Sequence, residues 1–133
     1  MLLFVHGTES YRIHEQFQEW LRQYRSKHKS GLNEVFFDIK DFNIEEFRNY
    51  LNSTSMFGEK KLIVLRNIFS SPPIKESLLK ILKNPSLAES KDIFLIFVQH
   101  LELSGEKRQD IKKIQEFQKD KLFEYLQEKS YQI

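Results

Sequence analysis

Leu2-Leu3-Phe4-Val5-His6-Gly7-Thr8-Glu9-Ser10-Tyr11 opens the chain and decides its architecture. Four consecutive apolar residues without alternation mark a strand buried on both faces. The run breaks at Gly7. Ile13, Phe17, Trp20, Leu21 and Tyr24 follow at helical spacing, so the next element is an amphipathic helix. Ser10 stands where its N-cap is expected, and Gly31 marks the turn out.

The same alternation continues outward. Val35-Phe36-Phe37 with Ile39 predicts a second strand, and Asn43 predicts a capped helix in which Phe42 packs on Phe47 as a hydrophobic staple. Leu62–Leu65 predicts a third strand. Ile74, Leu78, Leu79 and Leu82 predict a third helix that stops near Asn84-Pro85, because proline disfavours helix in the residue before it. Ile93–Val98 is the most apolar strand and belongs at the sheet centre. Ile111, Ile114 and Phe117 predict a fourth helix, and Leu122-Phe123-Glu124-Tyr125 a fifth strand. Strands alternating with helices imply right-handed crossovers. The expected fold class is therefore α/β, a three-layer, mostly parallel five-stranded sheet of the P-loop-NTPase type. Residues 1–125 form the domain, and 126–133 look like the start of a further segment.

Composition bounds the chemistry. The 133 residues include twelve Phe, five Tyr and one Trp, enough for a packed core. With no cysteine, a disulfide framework, a thiolate metal site and a cysteine nucleophile are excluded together. No apolar run is long enough for a signal peptide or a membrane span, so a soluble, cytoplasmic protein is expected. Net charge is only +2, and the local cluster Arg22, Arg25, Lys27 and Lys29 falls at a helix end, where cations face the C-terminal dipole. A DNA-binding module built on that cluster is a weaker alternative.

In parallel sheets, ligands sit beyond the C-terminal strand ends. The first such loop, Gly7-Thr8-Glu9, lies where a phosphate loop would be. A working loop needs a second glycine and a Lys-Ser/Thr pair, so that N–H groups wrap the phosphates and a cation meets them. Here only Gly7 remains and Glu9 adds negative charge. At the end of the third strand, where nucleotide hydrolases carry acids for magnesium, the chain has Arg66-Asn67. His6, His14, His28 and His100 show no metal-ligand spacing. No catalytic residue, metal or cofactor is expected. The alternative class is a divergent P-loop nucleotide hydrolase or phosphotransferase.

The segment Asn52-Ser53-Thr54-Ser55-Met56-Phe57-Gly58-Glu59-Lys60-Lys61 is of another kind. On a short helical turn the adjacent Met56 and Phe57 would point about 100° apart, too divergent for one shallow groove. Presented at a turn, they suit a pocket on a partner. On pattern alone, Phe57 capping the core with Met56 filling a gap stands as an equal reading.

The run Ser55-Met56-Phe57-Gly58-Glu59-Lys60-Lys61-Leu62-Ile63-Val64-Leu65-Arg66-Asn67 resembles the delta subunit of the bacterial DNA polymerase III clamp loader. There a small residue, an apolar residue, Phe and Gly or Ser precede mixed charges and an apolar strand. The opening Leu3–Tyr11 is similar to that family's start. The resemblance implies a DNA-replication protein whose first domain is AAA+-like but does not bind ATP productively. It implies that Met56 and Phe57 form a wedge that enters the sliding clamp (the beta subunit) and helps open it. Ser55 and Asn52 would flank the wedge, Asn52 near a polar, Gln-like position; Leu is commoner at the position of Met56. In the full-length protein the partners would include the other clamp-loader subunits, with DNA reached indirectly. The family continues into a lid and a collar, so 126–133 would begin the linker to a lid domain.

Overall fold

The computed structural model describes residues 1–83 and 92–130. Strand β1 (Leu2–Gly7), helix α1 (Ser10–Lys27), strand β2 (Glu34–Asp38), helix α2 (Ile44–Asn52) and strand β3 (Lys61–Arg66) follow in turn. After a 3-10 turn at Ile68–Ser70 come helix α3 (Pro72–Leu82), strand β4 (Ile93–His100), helix α4 (Lys107–Gln118) and helix α5 (Lys121–Lys129). The sheet is fully parallel in the order β1-β4-β3-β2. Asn84-Pro85, the expected stop of the third helix, lies outside the described residues.

The two central strands carry the longest apolar runs, and Ile63, Val64, Leu95, Ile96 and Phe97 are each at most 1% exposed. This is the placement that a continuous apolar run predicts, since a central parallel strand meets no water on either face. One face packs Leu3, Leu62, Val64 and Ile96 against Ile13, Phe17, Leu21 and Tyr24 of α1. The other packs Leu2, Ile63, Leu65, Leu95 and Phe97 against Phe47 of α2, Leu78 and Leu82 of α3, and Leu122 and Leu126 of α5. Asn43 caps α2 as expected: its side-chain oxygen accepts from Glu45 N (2.9 Å) and Glu46 N (3.1 Å). The Phe42 and Phe47 rings meet at 5.8 Å.

Three expectations are corrected. The N-cap of α1 is Glu9, not Ser10, and it makes no side-chain capping bond. Leu122–Tyr125 is not a fifth strand; it is the first half of α5, so the described sheet has four strands. Asp120 decides that, because its carboxylate accepts from Leu122 N (2.8 Å) and Phe123 N (3.4 Å) and so starts a helix there. Residues 126–129, read as the start of a linker, complete the same helix, and Leu126 is fully buried in the core.

Candidate partner-binding surface

The two ends of the sheet differ in chemistry. At the C-terminal end, Glu9 pairs with Arg12 at 2.9 Å on an exposed surface. His100 Nε2 lies 3.2 Å from the Thr8 carbonyl, closing β4 onto the loop. Gly7 ends β1 and its carbonyl accepts from Leu101 N at 2.8 Å. The loop Gly7-Thr8-Glu9 thus connects strand to helix with an acid at its crest. The Arg66 guanidinium sits 4.5 Å from the Phe17 ring centre, and Asn67 Nδ2 donates to Asp38 at 3.4 Å. A cation stacked on an aromatic ring occupies the place where a hydrolase would hold its magnesium-binding acid.

The N-terminal end carries the segment singled out above. Asn52 is the last residue of α2 and exposed; Ser55 is half-buried. Met56 and Phe57 are 53% and 75% exposed. They do not lie on a helical turn. Glu59 N donates to Met56 O at 3.1 Å, and the two residues between, Phe57 and Gly58, have φ of 59° and 66°. Positive φ at both central positions is the type I′ pattern. Gly58 adopts it without cost, but a bulky side chain in the left-handed region costs about 1–2 kcal/mol. Phe57 is therefore both strained and offered to solvent. Strain of this kind persists where the surroundings over-determine the backbone.

Those surroundings come from three directions. Asn33, only 4% exposed, brackets Met56: its Oδ1 accepts from Met56 N (2.8 Å) and its Nδ2 donates to Met56 O (3.0 Å) and to Glu59 Oε1 (3.1 Å). Glu59 also accepts from the Ser30 hydroxyl and from Ser30 N. The Ser30 hydroxyl, then the Ser30 N–H and the Asn33 amide, hold the Glu59 carboxyl below its ordinary pKa. Behind the turn, the Tyr24 hydroxyl donates to Lys60 O, and Lys60 N donates to His28 Nδ1 at 3.4 Å. Burial, with the nearby carboxylates of Glu34 and Glu59, pushes the Tyr24 phenol up to about 12. On the entry side the ammonium of Lys61, 5% exposed, donates to Tyr50 O (2.8 Å), Leu51 O (3.2 Å) and Ser53 O. It caps the carbonyl end of α2, where a cation also meets the helix dipole.

Met56, Phe57, Ser55 and Asn52 were the residues named from sequence, and they share one rim. Gly7, Thr8 and Glu9 lie at the opposite ends of the strands. Asn33, Ser30, Glu59 and Lys61, which hold the turn, were not singled out. Lys61 carried a faint signal: it directly precedes the apolar run Leu62–Leu65, so burial should extend to it. Asn33 carried none, since a polar residue before a strand is usually solvated. The arginines of the basic cluster are partly neutralised, Arg25 by Glu34 at 2.8 Å and Arg22 by Glu19.

Among the described residues no group of acids and histidines is placed to hold a metal, and no helix is long and apolar enough to cross a membrane. A parallel sheet in the order β1-β4-β3-β2 with helices packed on both faces, the Gly7-Thr8-Glu9 loop at one end and an apolar turn at the other, defines a three-layer α/β domain. The chain belongs to the DNA polymerase III delta-subunit family, whose model matches residues 3–131. Among solved structures it resembles the Bacillus subtilis DNA clamp loader delta protein (YqeN), with a TM-score of 0.59 and 16% sequence identity. That likeness covers 98% of this chain and 36% of the other, so the chain spans about a third of the length of the protein it matches. At such identity the likeness speaks for the fold. No curated protein matches the sequence.

Proposed function

We propose that this domain binds the sliding clamp and helps open it, using Met56 and Phe57 as an apolar wedge and carrying out no catalysis itself. The observation that carries this reading is Phe57: a large apolar side chain, 75% exposed, held in a left-handed conformation by a buried polar network. A fold does not maintain strain and exposure together for packing; a partner's pocket accounts for both. Ser55 and Asn52 form the polar margin. Gly7, Thr8 and Glu9 are a retired phosphate loop, and the domain needs no cofactor. The other clamp-loader subunits are further partners, and DNA is reached through the assembly in the cytoplasm.

Burying two such side chains at an interface centre contributes on the order of 2 kcal/mol each, without strict additivity. Met56→Ala with Phe57→Ala is therefore expected to weaken binding to the same organism's clamp by at least about tenfold, since tenfold is about 1.4 kcal/mol. Surface plasmon resonance measures this, with circular dichroism to show the fold intact. Unchanged affinity in the folded double variant would remove the wedge. The rival enzyme reading is addressed in the same preparation: ATP with magnesium should leave the melting temperature unmoved, whereas binding to the native state would raise it.

A further inference from the structure

We infer that the Ser30–Asn33 turn is the second half of the clamp-binding surface, with Leu32 as a third apolar anchor and Asn33 as the residue that positions both turns; this rests on the wedge reading above.

Leu32 is 56% exposed, about as open as Met56. A single exposed leucine is ordinary. This one differs in how it is held. Its own N–H donates to the Ser30 hydroxyl at 3.2 Å, Gly31 beside it has φ of 73°, and the turn is tied at both ends to the wedge turn. Ser30 holds Glu59 at one end, and Asn33 holds both backbone groups of Met56 at the other. Leu32 is thus offered from a turn hydrogen-bonded to the one that offers Met56 and Phe57. Tyr11 and Ile111, also exposed, lie on α1 and α4, and Leu103 lies in the loop between β4 and α4.

Three exposed apolar side chains thus stand on two turns that hydrogen bonds lock to each other. Their partner is the clamp surface that takes the wedge, with an apolar rim beside the pocket to receive Leu32. Rigidity matters because a pre-ordered patch loses little conformational freedom on binding. Asn33 suits the positioning role chemically. An amide supplies an acceptor for Met56 N and donors for Met56 O and Glu59, which a carboxylate cannot do.

The test compares variants of the chain by surface plasmon resonance against the clamp, at a temperature where circular dichroism shows every variant folded. Leu32→Ala should weaken binding about three- to tenfold, through faster dissociation, with an unchanged melting temperature. Asn33→Asp keeps the acceptor for Met56 N but sets a carboxylate against Glu59, and should weaken binding by about tenfold or more. Adding Glu59→Gln to Asn33→Asp removes that repulsion and should recover part of the affinity. A purely structural asparagine would lower the melting temperature while leaving the affinity of folded molecules alone. If Met56→Ala with Phe57→Ala weakens binding and Leu32→Ala does not, the inference is overturned and the wedge stands. If the wedge variant binds normally, the reading beneath both is lost.

Discussion

Phe57 concentrates the competition between stability and function into one backbone angle. Its φ of 59° suits glycine, and its ring makes little use of the core. Phe57→Gly should therefore stabilise the domain by about 1 kcal/mol, the relief of the left-handed conformation, while abolishing the wedge contact. Urea unfolding paired with clamp binding reads both effects; a destabilised Phe57→Gly variant would show that the ring supports the fold after all. At this scale the sequence was informative in part. The Met56–Phe57 segment draws notice in the sequence because two large apolar residues stand beside small polar ones, and the structure leaves both exposed. Asn33 does not, because what makes it matter is a neighbour 23 positions away along the chain. Long-range hydrogen bonds leave no periodicity to read.

Among the elements, the contest lay at Leu122–Tyr125. A short apolar run fits strand and helix equally, and only flanking signals separate them. The signal here was Asp120, a helix cap standing two residues before the run and also paired with Lys75. With Leu122 and Leu126 spaced one helical turn apart, the segment closes over β1 and α3. Four strands were recoverable because buried parallel strands are written as unbroken apolar runs. The helix α5 also completes an aromatic enclosure: the His6 ring lies within 4.6 Å of Phe4, 5.0 Å of Phe123 and 5.7 Å of Phe117, centre to centre. Desolvation there lowers the His6 pKa, outweighing a hydrogen bond to Gln127 that raises it. A histidine whose folded pKa is lowered binds fewer protons folded than unfolded. Its contribution is intact above about pH 6.5, the unfolded value, and is lost as pH falls below it toward the folded value. Thermal melts between neutrality and mildly acid pH should show the melting temperature falling in that window. His6→Gln should flatten this part of the curve, and an equally steep fall in the variant would assign the effect elsewhere.

For the molecule as a whole, the two ends of the sheet have separate fates. The C-terminal ends, where this fold usually handles phosphate, carry Glu9 and a stacked Arg66. The N-terminal ends carry the apolar patch. The order β1-β4-β3-β2 adds a distinction in time. Met56 meets Asn33 across 23 positions, whereas the amino terminus meets Ile93 across 92. Closing a longer loop costs more chain entropy, and contacts distant in sequence form later. The half of the domain that carries Met56 and Phe57 is thus assembled from its own neighbourhood, and the strand leading to the Gly7-Thr8-Glu9 loop arrives last. Pulse-labelled hydrogen exchange during refolding should find the Met56 amide protected before the Leu95 amide, which donates to Met1 O; the reverse order would contradict it. A growing chain would then fix the Met56–Phe57 turn before β1 closes the sheet.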